Sequence, residues 1–173
     1  MANITASIQN TSRSVKGLNT TWVFNHGDWT ITKTANKFTL ARIGSALAYK
    51  ALGCKDYNNA GSELVVPENL CTSFKHKYSL STTEATGAVT DKAAAKAMID
   101  KADKIFVVVK TNDGLLLGYG LDYALWKTTQ GQMANENNAT TAIEFATRDQ
   151  MEEEYSCYYY TGTEADLDAL MAL

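Results

Sequence analysis

Apolar and polar residues alternate through much of this chain, and a period of two predicts strands. Trp29-Thr30-Ile31-Thr32-Lys33 and Phe38-Thr39-Leu40-Ala41-Arg42-Ile43 place apolar side chains at every second position, which puts them on one face of a pleated strand. Thr20-Thr21-Trp22-Val23-Phe24 precedes them, with turn residues at Asn25-His26-Gly27-Asp28 and Ala35-Asn36-Lys37. The segment therefore reads as a β-hairpin that extends into a three-stranded meander. The longest alternation sets Leu70, Thr72, Phe74, His76, Tyr78 and Leu80 on one face and Cys71, Ser73, Lys75, Lys77 and Ser79 on the other. One side of that strand meets the core and the other meets water. Ile105-Phe106-Val107-Val108-Val109 breaks the alternation. A run this short and rich in β-branched residues predicts a central strand buried on both faces. Asn112-Asp113-Gly114 then turns the chain back into Leu115-Leu116-Leu117-Gly118-Tyr119-Gly120-Leu121 as an antiparallel partner. Residues 141–147 and 154–160 read as a last hairpin, joined through 148–153.

Helical spacing occurs in three places. Ala46, Leu47, Tyr49 and Leu52 suit a short helix closed by Gly53. Thr90 and Asp91 open a helix through Lys104, with Thr90 as N-cap, Asp91 at the positive end of the dipole, and an apolar stripe of Ala94, Met98, Ile99 and Ala102. Residues 163–173 form a short acidic amphipathic tail, with Leu167, Leu170 and Met171 on one side. At about three turns it needs a surface to pack on. Residues 55–69, which contain Asn58-Asn59, Gly61 and the single proline Pro67, read as a long surface loop, and the Gln/Asn/Gly-rich residues 128–138 as a second. The first nineteen residues carry no sustained period and read as a flexible arm. The expected organisation is an arm over 1–19, one β-rich domain over 20–162 and a helical tail over 163–173. The expected fold class is α+β, mainly β: an antiparallel β-sandwich or barrel with one flanking helix at about 90–104, long loops and terminal arms.

With 173 residues, 45% hydrophobic and 20% charged, the chain has a globular composition and can bury a core without a metal or disulfide. The formal charge of -3 gives no global attraction to nucleic acid or an anionic bilayer. No run approaches the eighteen apolar residues that span a membrane, and the first residues lack a signal-peptide pattern. Cys54, Cys71 and Cys157 are an odd number without a Cys-x-x-Cys pair, and there are two histidines, so free thiols in a reducing compartment are expected. The four Asn-x-Ser/Thr sequons, at Asn3, Asn10, Asn19 and Asn138, follow from composition.

No pattern for a phosphate loop, zinc protease, serine hydrolase or calcium loop occurs. Gly118-Tyr119-Gly120 lacks the third glycine of a dinucleotide fingerprint and follows a turn, so it reads as relief of crowding or a bulge. His26 beside Asp28 is an acid/base pair on paper but sits in a turn, where a solvated histidine is the ordinary case. His76, on the apolar face of a strand, reads as a hydrogen-bonded, half-buried residue, and Cys157 between tyrosines as core packing. No catalytic, cofactor or metal residue is expected, and no cofactor. Exposed aromatics would stack on sugars, which makes a carbohydrate-binding or adhesin-like β-sandwich the alternative function. The favoured reading puts Trp22, Trp29, Trp126, Tyr158, Tyr160, Leu167 and Leu170 at a subunit interface, where Tyr and Trp are enriched. Glu152-Glu153-Glu154 reads as a solvated acidic run.

From about Leu70 to Tyr160 the chain resembles small virion structural proteins of tailed bacteriophages that infect Bacteroidetes-type hosts. The residues that carry the resemblance are the long alternating strand, Thr90-Asp91-Lys92-Ala93-Ala94-Ala95-Lys96, Ile105-Phe106-Val107-Val108-Val109, Asp113-Gly114-Leu115-Leu116-Leu117-Gly118, Gly120-Leu121, the Gly/Asn-rich loop and the final alternating pair. Tail-tube and neck-ring proteins share this plan. The resemblance implies a non-enzymatic structural protein, assembled in the host cytoplasm into a ring or tube of the tail or head-tail connector. Its partners would be copies of itself and other virion proteins, with phage DNA passing through the channel without specific binding and no membrane partner. An acidic lining at Glu152, Glu153 and Glu154 fits such a channel, because it would not hold phosphates. Closure of the ring is expected to use the arm, the 55–69 loop and the tail, so loss of 1–19 or of 163–173 should leave a folded monomer that does not assemble.

Overall fold

The computed structural model describes residues 18–46, 48–51, 59–65, 73–83, 104–111, 113–135 and 138–171. Its organising element is β7, Lys104–Thr111, in which Ile105 to Val109 are each 1% exposed or less. This is the strand the continuous apolar run predicts. One edge of β7 pairs antiparallel with β1, Leu18–Asn25, in a register that sets Trp22 against Val108 and Phe24 against Phe106. The other edge takes β8, Leu116–Tyr119, and the first residues of β9, Leu125–Asn135.

Both faces of this ribbon are covered. Ile105, Val107 and Val109 join Val23, Tyr78, Tyr119, Leu125 and Phe145 in one core, and Phe106 and Val108 join Trp22, Phe24, Trp29, Phe38, Ala48, Leu121, Tyr158 and Leu167 in a second. Each fully buried side chain of this size contributes about 1.5–3 kcal/mol. Phe24 stacks on Phe106 with centroids 4.7 Å apart, and Trp29 meets Phe24 edge-on at 5.1 Å.

The remaining strands are β2 (Trp29–Thr34), β3 (Lys37–Arg42), β4 (Tyr49–Ala51), β5 (Asn59–Val65), β6 (Ser73–Thr83), β10 (Asn138–Ala146) and β11 (Tyr158–Tyr160). The main path of the sheet runs β2-β3-β11-β8-β7-β9-β10-β6-β5, with β1 on the free edge of β7 and β4 beside β1. The fold is mainly β. The β3–β11 pair is parallel, so the sheet is mixed, and it does not close into a barrel. The short helix α1, Glu164–Ala169, carries a capping box between Thr163 and Asp166. No helix among the described residues is long and apolar enough to cross a membrane.

Several local expectations give way to tertiary pairing. The turn after Asn25 exists, since the Asp28 N–H donates to Asn25 O, but β1 and β2 form no hairpin and no three-stranded meander. Trp22-Val23-Phe24 is apolar on both faces, a demand that only a place beside β7 meets. β2 alternates, needs one covered face, and among the described residues pairs with β3, across a turn where Ala35 takes φ 52°. Tyr49–Ala51 is a strand on β1 and not part of a helix. The expected loop at 55–69 contains β5, paired with β6 from Asn59↔Ser79 to Val65↔Ser73. The expected loop at 128–138 lies largely within β9, whose ladder with β10 reaches Asn135↔Asn138. In both, backbone pairing overrides the weak strand propensity of Asn, Gly and Gln. Residues 141–147 and 154–160 are not a hairpin either: β10 lies between β9 and β6, and β11 between β3 and β8. The helix expected at 90–104 falls outside the described residues except Lys104, which begins β7. The arm expected over 1–19 is likewise outside them, apart from Leu18 and Asn19 at the start of β1.

The tail belongs to the body of its own subunit. Leu167 is 0% exposed, the Trp22 indole N–H donates to Asp168 Oδ1 at 2.9 Å, and Arg42 donates to Leu170 O at 2.5 Å. Removing 163–173 would uncover the second core at Leu167, so the truncation is expected to cost fold stability as well. Gly118 relieves crowding, as its sequence context suggests: a Cβ there would lie 2.7 Å from Cε1 and Cζ of the fully buried Phe38. We expect Gly118→Ala to destabilise the fold by about 1–3 kcal/mol in urea unfolding, with part of the loss recovered when Phe38→Leu is added.

Candidate functional site

Among the described residues, a group of buried polar side chains lies where the turn after β8 meets the segment 147–157. Gly120 and Ala124 adopt positive φ, 76° and 70°, and the turn between them directs its amides inward. A Cβ on Gly120 would also lie 2.5 Å from Leu125 Cγ. The Gly120 N–H donates to His76 Nδ1 at 3.0 Å, and the N–H groups of Asp122 and Tyr123 donate to the Glu153 carboxyl at 3.0–3.2 Å. Such a concave row of amides favours an acceptor, and here two side chains of the same chain fill it.

Glu153 is placed by backbone pairing. Its N–H and C=O exchange hydrogen bonds with Phe74 at 2.8 and 2.9 Å, an antiparallel bridge beside β6. Its side chain is 0% exposed, and burial pushes its carboxyl up to about 7, against the opposing effects of the Tyr123 amide, Lys33 and Tyr158. Tyr158 on β11 donates its hydroxyl to Asp122 Oδ2, and Lys33 on β2 pairs with Asp122 Oδ1. The Lys33 ammonium also lies 5.6 Å from the centre of the Tyr158 ring. Burial raises the Tyr158 hydroxyl, and the neighbouring Glu153 raises it further. Four segments, β2, the turn, 147–157 and β11, are thus tied through Lys33, Asp122, Glu153 and Tyr158.

His76 is fully buried, beyond the half-buried state its sequence context suggests. Because Nδ1 accepts from the Gly120 amide, the proton is on Nε2, which donates to Tyr155 O at 2.8 Å. Burial lowers its pKa to about 4. The backbone of His76 also exchanges hydrogen bonds with Thr147. Every partner of this imidazole is structural. His26 pairs through Nε2 with Leu121 O at 3.4 Å, meets Phe106 edge-on, and has its pKa lowered, chiefly by burial.

The expected interface residues fall into two groups. Trp22, Trp29, Tyr158 and Leu167 are 0–4% exposed in the second core, so they are corrected from subunit contacts to intramolecular packing. Tyr160 and Leu170 are half-buried against that core. Trp126 is half-buried under two cations, with Arg148 3.4 Å and Lys104 4.5 Å from its ring centre. Of the acidic run, Glu154 is exposed and Glu152 half-buried, whereas Glu153 points inward and cannot line a channel. A run of three on extended chain sends its middle member to the opposite face. That period was the available signal for Glu153, but nothing in the sequence points to its partners Asp122 and Lys33. Cys157 is a half-buried free thiol against the first core. Among the described residues no group of three His, Cys, Asp or Glu is arranged to hold a metal.

The pH response of His76 follows from its burial. An unfolded histidine titrates near 6.5 and the folded one near 4, so its stabilising contribution is complete above pH 6.5 and is lost as pH falls toward 4. His76→Gln should be about 1–3 kcal/mol less stable than wild type at pH 7. That gap should narrow at pH 4.5 in urea unfolding; a gap that does not narrow would place the acid sensitivity elsewhere.

No protein-family model and no curated protein matches the sequence, so the geometry carries the functional reading.

Proposed function

We propose that the chain is a non-enzymatic structural protein of a tailed-bacteriophage virion, which assembles with copies of itself into a ring or tube of the tail or head-tail connector. The observation that supports this is the course of β9. It pairs with β7 only at Leu125 and Trp126, then continues with β10 as far as Asn135, while β10 pairs on its other side with β6 and β6 with β5. The result is a four-stranded wing, and its outer ladder runs nine residues past the β7 pairing, roughly 30 Å at 3.3 Å per residue.

Among the described residues, this wing has β5 on one border and residues 127–135 of β9 on the other. Strand edges present amides and carbonyls for pairing with another chain. The two borders differ, so contact between β5 of one copy and β9 of the next is heterologous, the kind that closes into a ring or propagates as a tube. This replaces the aromatic interface, whose main residues the core consumes. The virion setting rests on the resemblance over Leu70 to Tyr160. The net charge of -3, with Glu152 and Glu154 at the surface, suits a structure that DNA passes without being held. Sugar binding is less favoured, because two of the aromatics it would use, Trp22 and Trp29, are 0% and 4% exposed.

Light scattering followed by negative-stain microscopy is expected to find closed rings or stacked tubes. Gln132→Lys on β9 and Ser62→Lys on β5 should each yield monomers with unchanged thermal unfolding. A wild-type chain that stays monomeric at its highest soluble concentration, or edge variants that assemble as before, would overturn the proposal.

A further inference from the structure

The hydrogen-bond chain around Tyr158 supports a second inference, independent of assembly and based on counting protons. Tyr158 has one hydroxyl proton and two carboxyl groups within reach: Asp122, to which it donates, and Glu153. Asp122 is also paired with the Lys33 ammonium, and its side chain is 13% exposed. Glu153 is 0% exposed and, among the described residues, receives backbone amides besides Tyr158. With both carboxyls ionised, Tyr158 satisfies one and turns an oxygen lone pair toward the other. With a proton on Glu153 the chain closes: Glu153 O–H donates to the Tyr158 oxygen, Tyr158 O–H donates to Asp122, and Asp122 pairs with Lys33. Each polar atom then meets a partner of the right sense.

We propose that Glu153 is held as a neutral carboxylic acid in the folded protein on the acid side of neutrality, and that its ionisation is a pH-operated loss of fold stability centred on this buried cluster. The step moves only one proton, which leaves to water. The groups that face Glu153 come from every element packed on it. Lys33 of β2 and the turn amides favour the charged form. Asp122 of the turn disfavours it, as do the flanking carboxylates Glu152 and Glu154. Tyr158 of β11 has one proton for two carboxyls, and His76 of β6 is uncharged above about pH 4. Burial decides the balance, because a desolvated carboxylate without a direct cation is costly.

The sign is opposite to that of His76. An unfolded glutamate titrates near 4.5 and Glu153 near 7, so the folded state binds the extra proton. The stabilisation is present below pH 4.5 and is lost as pH rises through 7. Glu153→Gln keeps the shape and an N–H donor for Tyr158 but cannot ionise. Measured at one protein concentration, the ratio of wild-type to Glu153→Gln folding constants is expected to fall about 30-fold between pH 5.5 and 8. The comparison cancels His26, His76 and all other titrations. A ratio that does not change with pH overturns the proposal.

If the variant fails to fold, the wild-type protein decides by itself. The side-chain carboxyl carbon of Glu153, followed by NMR, should titrate well above 4.5; an ordinary midpoint overturns the neutral assignment.

Discussion

Burial of β7 on both faces is the constraint to which the rest of the molecule answers. A strand with Ile105, Phe106, Val107, Val108 and Val109 all out of water needs apolar cover above, below and along both edges. β1 meets the edge requirement because Trp22, Val23 and Phe24 are themselves two-faced. Tyr78 and Phe145 from β6 and β10 close one side, and Phe38 from β3 with Leu167 from α1 close the other.

Legibility in the sequence followed the strength of each segment's own pattern. The apolar run of β7, the Asp113-Gly114 return, the alternation around His76 and Tyr78, and the amphipathic tail were readable because side-chain burial and local turn chemistry dictated them. β5 and the outer part of β9 were not. Asn59, Gly61, Gln130 and Gly131 carry little strand preference, and their conformation comes from the ladders of β6 and β10. Trp22, Trp29 and Tyr158 were expected at a subunit interface and lie in the chain's own core, because composition cannot distinguish a core from an interface, since both favour the same side chains.

The polar cluster was the least legible part. Lys33, Asp122, Glu153 and Tyr158 lie far apart in sequence, and each looks like an ordinary surface or strand residue. Their relation exists only once β2, β11 and the two turns converge. The same convergence gives His76 and Glu153 opposite charge responses while both grip one row of amides. The turn is held by an acid and a base, each of which burial shifts away from its charged form.

The hydrogen bond between Trp22 and Asp168 spans 146 positions of sequence. Closing a flexible loop of that length involves an entropy penalty of about 4 kcal/mol before any contact is gained, and sheets dominated by such distant pairings fold slowly. The second core is completed only when chain from opposite halves meets on β7. The wing, built from the neighbouring strands β9 and β10 and the hairpin-like β5–β6 pair, closes shorter loops. The two parts of one sheet therefore differ in the length of chain that each contact must close, and the interior carries the larger share of that cost.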